Sequence, residues 1–155
     1  MWKKIKPYVI SVLISFAVGG LAALLTKDNM SMYEEIVKPK LAPPGWIFPV
    51  AWGILYTLMG ISAARVYTKS RGRIVGTGLE YYAVSLVFNF FWTILFFNVK
   101  AFLLSFIWLI ALWILILLTI INYKKYCSLA AYIQIPYLLW VAFAGYLNYM
   151  IYTLN

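Results

Sequence analysis

The side chains best suited to chemistry in this sequence are aromatic rings and amides, spaced as they would be on helix faces. Residues three or four apart share one face of a helix. A few polar groups set among flat rings are typical of a pocket for a flat, apolar molecule. Three such sets occur, and they are Trp52 with Tyr56, then Asn89 with Trp92 and Phe96, and finally Trp140 with Ala144 and Asn148.

Much other chemistry is excluded by what the sequence lacks. It has no His and a single Cys, Cys127, so His/Cys metal sites, Cys-His catalysis and structural disulfides are excluded or disfavoured. Its four acidic residues do not form a relay across a membrane, which argues against a proton-coupled transporter. We therefore expect no metal ion and no required cofactor.

The composition places these residues in a membrane. The chain has 155 residues, of which 65% are hydrophobic and 11% charged, and a soluble chain of this size is far less apolar. Five apolar runs are long enough to cross a hydrocarbon layer of about 30 Å, which takes about 20 helical residues. The runs lack the alternation of barrel strands, so we predict an all-α fold, a single bundle of five transmembrane helices that forms one domain over residues 1–155. The predicted spans are 7–26, 43–66, 78–97, 101–122 and 128–152.

The basic residues predict the orientation of this bundle. Nine lie on the face that carries the N-terminus and the 67–77 and 123–127 links, and four lie on the other face. Cytoplasmic loops are enriched in Lys and Arg, so we expect the N-terminus in the cytoplasm and the 27–42 loop outside. The net charge of +9 is then mostly a topology signal. Its basic residues are too scattered to form a nucleic-acid-binding face.

The prolines around the second span predict the mouth of a cavity. The Pro-Pro pair at 43–44 suits a helix start, where missing N–H groups would be unpaired anyway. Pro49 would then fall in the second turn, where it should bend the helix and free a carbonyl near Gly45. Four tryptophans lie roughly 8 to 18 Å below the outer ends of their spans, deeper than an aromatic belt at the headgroups. The predicted aromatic cavity therefore lies under the first loop, at the level of Trp52, Trp92, Trp108 and Trp140.

Packing is the alternative explanation for each of these residues. A single large aromatic side chain in an apolar bundle usually packs against its neighbours or lipid. For Trp52, Trp92 and Trp140 together, a ligand pocket is favoured over bundle packing, and the sequence leaves both explanations open. For Asn89, an interhelical hydrogen bond is favoured over ligand contact, because an unpaired amide is costly in a membrane. A stripe of small residues predicts close packing, within the bundle or between two copies, and comprises Ser11, Ser15, Gly19 and Ala23.

Three motifs resemble those of a known family. They are K-P-x-x-x-P-P-x-W-x-x-x-x-x-W-G-x-L-Y-x-x-M-G from Lys38, N-x-x-W with a following F-F from Asn89, and P-Y-L-x-W-x-A-F-A-x-x-L-N-Y from Pro136. With these motifs and its five-span layout, the chain resembles the tryptophan-rich sensory protein and translocator protein family, TspO/MBR. The resemblance implies a receptor or sensor in a bacterial cell membrane, commonly a homodimer, with a pocket capped by the first loop.

The same resemblance implies the ligands and the residues that line the pocket. Family members bind porphyrins such as protoporphyrin IX, and mammalian relatives bind cholesterol and benzodiazepine or isoquinoline drugs. Two departures matter here: Leu41 stands where relatives often have tryptophan, and no basic residue follows Tyr149 to complete the cholesterol signature. The expected ligand-binding residues are Trp46, Trp52, Tyr56, Asn89, Trp92, Phe96, Trp140, Phe143, Ala144 and Leu147.

The resemblance leaves three functions open. The first is binding or sensing of a tetrapyrrole, which would stack on tryptophans and place its propionates near Lys38 or Lys40. The second is light-dependent degradation of protoporphyrin, with Trp52 and Trp140 as candidate catalytic electron donors. The third is transport of tetrapyrroles or lipids. Because His is absent, tight haem ligation is disfavoured, whereas binding of the metal-free ring is not. Expected partners are a porphyrin or another hydrophobic small molecule, membrane lipid and a second copy of the chain, but no nucleic acid.

Overall fold

The chain folds into a helical bundle, which a computed structural model describes over residues 1–155. It has no strand, and five helical segments are long and apolar enough to cross a membrane. The predicted five-helix fold is confirmed, and the chain is an integral membrane protein. The helices are α1 (Trp2–Thr26), α2 (Met32–Glu35), α3 (Ile47–Lys69), α4 (Leu79–Thr93), α5 (Phe102–Tyr123), α6 (Ser128–Ile133) and α7 (Ile135–Leu154), with a 3-10 turn at Lys27–Asn29 and a π turn at Ile94–Asn98.

The second span begins later than its prolines predicted. Helix α3 starts at Ile47, so the Pro-Pro pair at 43–44 lies in the loop before it. Pro49 therefore falls in the first turn, where a backbone N–H has no helical partner to lose. The Gly45 carbonyl is not free, because it accepts a hydrogen bond from the N–H of Phe48 at 3.3 Å. The prediction of a bend at Pro49 that frees a carbonyl near Gly45 is wrong, since this proline helps to start the helix instead.

The ends of two other spans depart from a regular α-helix. The third span leaves α4 through the π turn at its first-loop end, and the fifth is divided between α6 and α7 at Gln134. Pro136 explains the second departure, because it has no N–H to donate to the carbonyl four residues earlier. Gln134 is buried at this break, and its side-chain amide has no hydrogen-bond partner. Hydropathy locates both spans, but it does not detect these local changes in helix geometry.

Small residues bring α1 into close contact with α3. Ser15 is fully buried, and its Oγ donates a hydrogen bond to the backbone carbonyl of Tyr56 at 2.7 Å. A Cβ added at Gly60 of α3 would lie 2.5 Å from the Cα of Val12, and one added at Gly19 would overlap the ring of Tyr56. Ser15 and Gly19 of the small-residue stripe therefore pack within the bundle, whereas Ala23 is exposed.

We expect Gly19→Leu to lower the thermal stability of the protein. The new side chain must displace the Tyr56 ring or separate α1 from α3, and such overpacking costs about 1–3 kcal/mol. Gly20→Leu is a matched control, because a Cβ at Gly20 has no neighbour within 4 Å. Thermal unfolding of both variants in detergent measures the difference. Equal unfolding temperatures for the two leucine variants would contradict close packing at Gly19.

The orientation of the bundle remains a prediction that cysteine labelling can test. In a Cys127→Ser background, we expect Ser31→Cys to react with an impermeant maleimide from outside sealed cells and Val75→Cys to be protected. Both native side chains are exposed and lie at opposite ends of the bundle, so access to the reagent depends on the side of the membrane. The reverse pattern would place the first loop in the cytoplasm and contradict the charge rule for this chain.

Candidate ligand cavity beneath the first loop

A cavity of about 480 Å³ lies under the first loop, with walls from α1, α3, α4 and α7. Its volume is in the range of pockets that hold drug-sized ligands, about 300–1,000 Å³. Most of its lining is apolar or aromatic. Seven of the ten residues expected from the sequence line it, and they are Trp46, Trp52, Tyr56, Trp92, Phe96, Ala144 and Leu147.

Trp52 is the centre of the aromatic wall. Its ring stacks on Tyr56, with centroids 5.5 Å apart and planes 28° apart. Its centroid lies 6.5 Å from that of Trp92 and 6.4 Å from that of Trp140, the latter nearly perpendicular at 89°. Helix spacing explains the stack, because Trp52 and Tyr56 are one turn apart on α3. Two stacked aromatic rings therefore line the cavity from one helix.

The three expected residues that do not line the cavity lie behind this wall. Trp140 packs its edge against Trp52 and against Phe48, whose centroid is 5.9 Å away, and Phe143 packs on Trp140 at 5.7 Å. The indole N–H of Trp140 is buried and has no hydrogen-bond partner. Asn89 donates an amide hydrogen bond to the Tyr56 hydroxyl at 3.1 Å. This bond joins α4 to α3, as the interhelical interpretation of Asn89 predicts.

A hydrogen-bond network centred on Asn148 was not predicted from the sequence. The Asn148 side-chain oxygen accepts hydrogen bonds from the Trp92 indole N–H at 3.0 Å and from Ser105 Oγ at 2.9 Å. Its amide nitrogen donates to the Phe102 carbonyl at 2.7 Å. Asn148 is 1% exposed and lines the cavity, so it joins α4, α5 and α7 and fixes the Trp92 ring. The available signal was an amide inside an apolar span, which must find partners there.

The first loop closes the cavity through contacts made by Tyr33. This side chain is buried, and its hydroxyl donates a hydrogen bond to the Pro43 carbonyl at 2.8 Å. Its ring meets Phe48 edge to face, with centroids 5.1 Å apart. Burial, and then the negative charge of Glu34, raise the pKa of Tyr33 to about 12. Because the closed loop favours the neutral phenol, this contribution is complete below the ordinary pKa near 10.0 and is lost as the pH rises through about 12.

The end of the chain also holds the loop in place. The Asn155 side chain accepts a hydrogen bond from the Val37 N–H at 3.1 Å and donates one to the Val37 carbonyl at 2.9 Å. On the other side, Asn29 donates to Asn98 at 2.7 Å, which in turn donates to the Leu25 carbonyl at 3.1 Å. These amide contacts attach the loop to both the π turn after α4 and the end of α7. The cavity is thus covered by a segment fixed at two places.

The charged residues at the cavity are not the lysines that were expected beside the propionates of a porphyrin. Glu34 is the only charged residue in the lining. Lys38 does not face the cavity, because its Nζ donates to the Tyr33 carbonyl at 2.6 Å and lies 4.8 Å from the centroid of that ring. Lys40 is exposed on the loop. Trp46 lines the cavity and is largely exposed, so it is the aromatic residue of the rim, whereas Leu41 is exposed on the loop and is not part of the lining.

The chain is similar to known proteins over most of its length. A family model described as the TspO/MBR family matches residues 11–154. The chain is 34% identical to the tryptophan-rich protein TspO of Chlorobaculum tepidum, over 100% of this chain and 99% of that relative. It is 36% identical to protein CrtK of Rhodobacter capsulatus, over 79% of this chain and 78% of CrtK. It is 32% identical to the translocator protein of Bos taurus, over 88% and 83% of the two chains.

Proposed function

The chain belongs to the TspO/MBR family of membrane proteins, and on that premise we propose that it is a receptor or sensor for porphyrin-type tetrapyrroles. The observation that carries the proposal is the stacked pair of rings, Trp52 and Tyr56, in the lining of an apolar cavity of about 480 Å³ beneath the first loop. A planar macrocycle gains most from such a surface, because aromatic faces prefer offset stacking at close range. The same wall suits benzodiazepine and isoquinoline ligands, which are also flat and largely apolar.

The polar groups of the site suggest how a porphyrin would be oriented. Asn148 and Glu34 are among the few polar side chains of the lining, and Glu34 stands at the mouth. A carboxylate there disfavours a propionate beside it and favours a donor such as a pyrrole N–H. We place the propionates farther out, toward Lys40 on the exposed part of the loop. The metal-free ring fits this arrangement, since the lining contains no His or Cys to coordinate iron.

Titration of the purified protein with protoporphyrin IX in the dark tests the proposal. We expect a saturable shift of the porphyrin absorption band with one pigment bound per chain. Ala144→Phe would fill the cavity from α7, because Ala144 is buried in its lining, and should weaken binding at least tenfold. Ala142→Phe, on the exposed face of the same helix, is the matched control. Equal affinity for both phenylalanine variants would mean that the pigment binds elsewhere.

Light-dependent degradation of the bound porphyrin is the second candidate, and the contact between Trp52 and Trp140 favours it. An oxidisable indole in the cavity wall has a second indole 6.4 Å behind it, and the N–H of that second indole has no partner. Trp52 would donate one electron to the photoexcited pigment, and Trp140 would donate one electron to the oxidised Trp52. Dioxygen would accept the electron from the reduced pigment, and a soluble one-electron donor such as a thiol would reduce Trp140. Binding is the primary proposal because it needs only the cavity.

A further inference from the structure

A second cavity lies at the opposite end of the bundle, away from the first loop. It has a volume of about 610 Å³ and is bounded by α1, α3 and α4. Its floor consists of the small buried residues Ala63 and Ala64 of α3. Its sides carry Ile10 on α1 and Ala83 on α4, which are both exposed at the surface that faces lipid. We refer to this open cavity between α1 and α4 as the inner groove.

Small side chains explain why the inner groove exists. Close packing of α1 on α3 is set farther along, at Gly60 and Gly19, whereas at this end α3 lines the space with the small residues Ala63 and Ala64. No aromatic side chain from α1 enters the space. An apolar groove at membrane depth is filled by whatever apolar chain is present, and the bilayer supplies acyl chains. The volume is within the range of about 300–1,000 Å³ that holds a ligand of moderate size.

The charge at the end of the inner groove selects the kind of lipid. Lys6 is the only charged residue in its lining, and it lies in the first turns of α1, at the end of the bundle where the chain meets the headgroups. Lys3 and Lys4 precede it, and Arg71 lies on the adjacent link between α3 and α4. Tyr67, at the C-terminal end of α3, adds a hydroxyl to the same rim. This rim is complementary to an anionic headgroup.

We propose that the inner groove binds one acyl chain of an anionic phospholipid, whose headgroup pairs with Lys6. The hydrophobic effect does not select between lipids here, because every acyl chain leaves equally apolar surroundings. Selection therefore depends on the headgroup and on the fit of the groove. A second copy of the chain is the alternative occupant, and the experiment below distinguishes it from lipid by the assembly state of the variants. The proposal is independent of the porphyrin site, which lies at the other end.

Native mass spectrometry of the protein purified with equal amounts of dioleoyl phosphatidylglycerol and dioleoyl phosphatidylcholine tests this proposal. We expect one retained lipid per chain, with about fivefold preference for phosphatidylglycerol. Lys6→Gln should reduce that preference to less than twofold, whereas Lys3→Gln, outside the lining, should leave most of it. Ala83→Leu should fill the groove and remove the retained lipid. Ala142→Leu makes the same change on a lipid-facing site of α7 and should retain it.

Three results would overturn the proposal. Equal retention of the two phospholipids by the parent protein would mean that the headgroup is not recognised. Equal retention by the Ala83→Leu and Ala142→Leu variants would place the lipid outside the inner groove. A change from dimer to monomer in Ala83→Leu, with the lipid still retained, would assign the groove to a second copy. Porphyrin binding should be unaffected in all these variants, so failure here leaves the first cavity's function as a separate question.

Discussion

Asn148→Leu is expected to lower the unfolding temperature of the purified protein by roughly 5–10 °C, because it removes the centre of a buried network. The Trp92 indole N–H loses its only hydrogen-bond partner, and the Phe102 carbonyl and Ser105 hydroxyl lose one each. Each unsatisfied group costs about 1–3 kcal/mol in a buried site, and measured values in membrane proteins lie at the lower end. Thermal unfolding in detergent, followed by tryptophan fluorescence, measures the effect.

A matched control separates the network from the general effect of replacing an amide. Asn122 also lies in a membrane helix, but its side chain makes one hydrogen bond, to the Leu118 carbonyl one turn earlier in the same helix. Asn122→Leu should therefore shift the unfolding temperature by less than about one third as much. Ser105→Ala should fall between the two, since it removes a single donor to Asn148. If Asn122→Leu is as destabilising as Asn148→Leu, the network does not join the helices as we infer.

The spans and the aromatic faces could be predicted because each depends on one property of the sequence. Hydropathy over about 20 residues locates a span, and helical spacing places Trp52 with Tyr56 or Trp92 with Phe96 on a common face. Both predictions agree with the positions of these side chains in the cavity wall. Trp108 shows that depth in the membrane alone does not predict whether a tryptophan lines the cavity. It lies at the predicted level, but it packs on Phe88 with centroids 4.4 Å apart and donates to that residue's carbonyl, so it is outside the cavity.

The Asn148 network and the loop contacts could not be predicted because they join residues that are distant in sequence. Asn148 meets Trp92 and Ser105 only after three helices have packed, and nothing in the spacing of these residues indicates the pairing. The closure of the loop likewise depends on Tyr33 reaching Pro43 and on Asn155 reaching Val37. The sequence shows that these groups need partners, but the packing of the bundle decides which partners they find.

The bend expected at Pro49 shows how a small error in a helix boundary reverses a physical argument. A start at residue 43 would place Pro49 in the second turn, where it breaks a backbone hydrogen bond. With the observed start at Ile47, the same proline lies in the first turn and costs nothing. Helix boundaries in apolar sequence are poorly defined by composition, because the residues on both sides are equally hydrophobic. Conclusions about single residues near such a boundary therefore require the structure.

Trp52→Ala is expected to weaken protoporphyrin binding about thirtyfold, which corresponds to about 2 kcal/mol. The substitution removes the ring that contacts Tyr56, Trp92 and Trp140, so it deletes the stacking surface and loosens its neighbours. Trp113→Ala is the control, because Trp113 is a partly buried tryptophan that packs on the core outside the cavity. Dark titration at a temperature where all variants remain folded measures both affinities. A similar loss in the two variants would indicate a general effect of destabilisation.

Phenylalanine at the same positions separates binding from light-driven chemistry, because it keeps an aromatic surface and removes the easily oxidised indole. Trp52→Phe should reduce dark affinity by about 1 kcal/mol or less. Trp140→Phe should change the dark affinity less, since Trp140 lies behind Trp52 and does not line the cavity.

If the protein degrades porphyrin, illumination of the parent complex in air should yield a defined new absorbing product, and Trp52→Phe should abolish that product while still binding pigment. Trp140→Phe should slow its formation, because Trp52 would lose the neighbour that restores it. A pigment that bleaches equally fast in the parent, in both phenylalanine variants and in an unrelated membrane protein would show that the tryptophans form a binding surface alone.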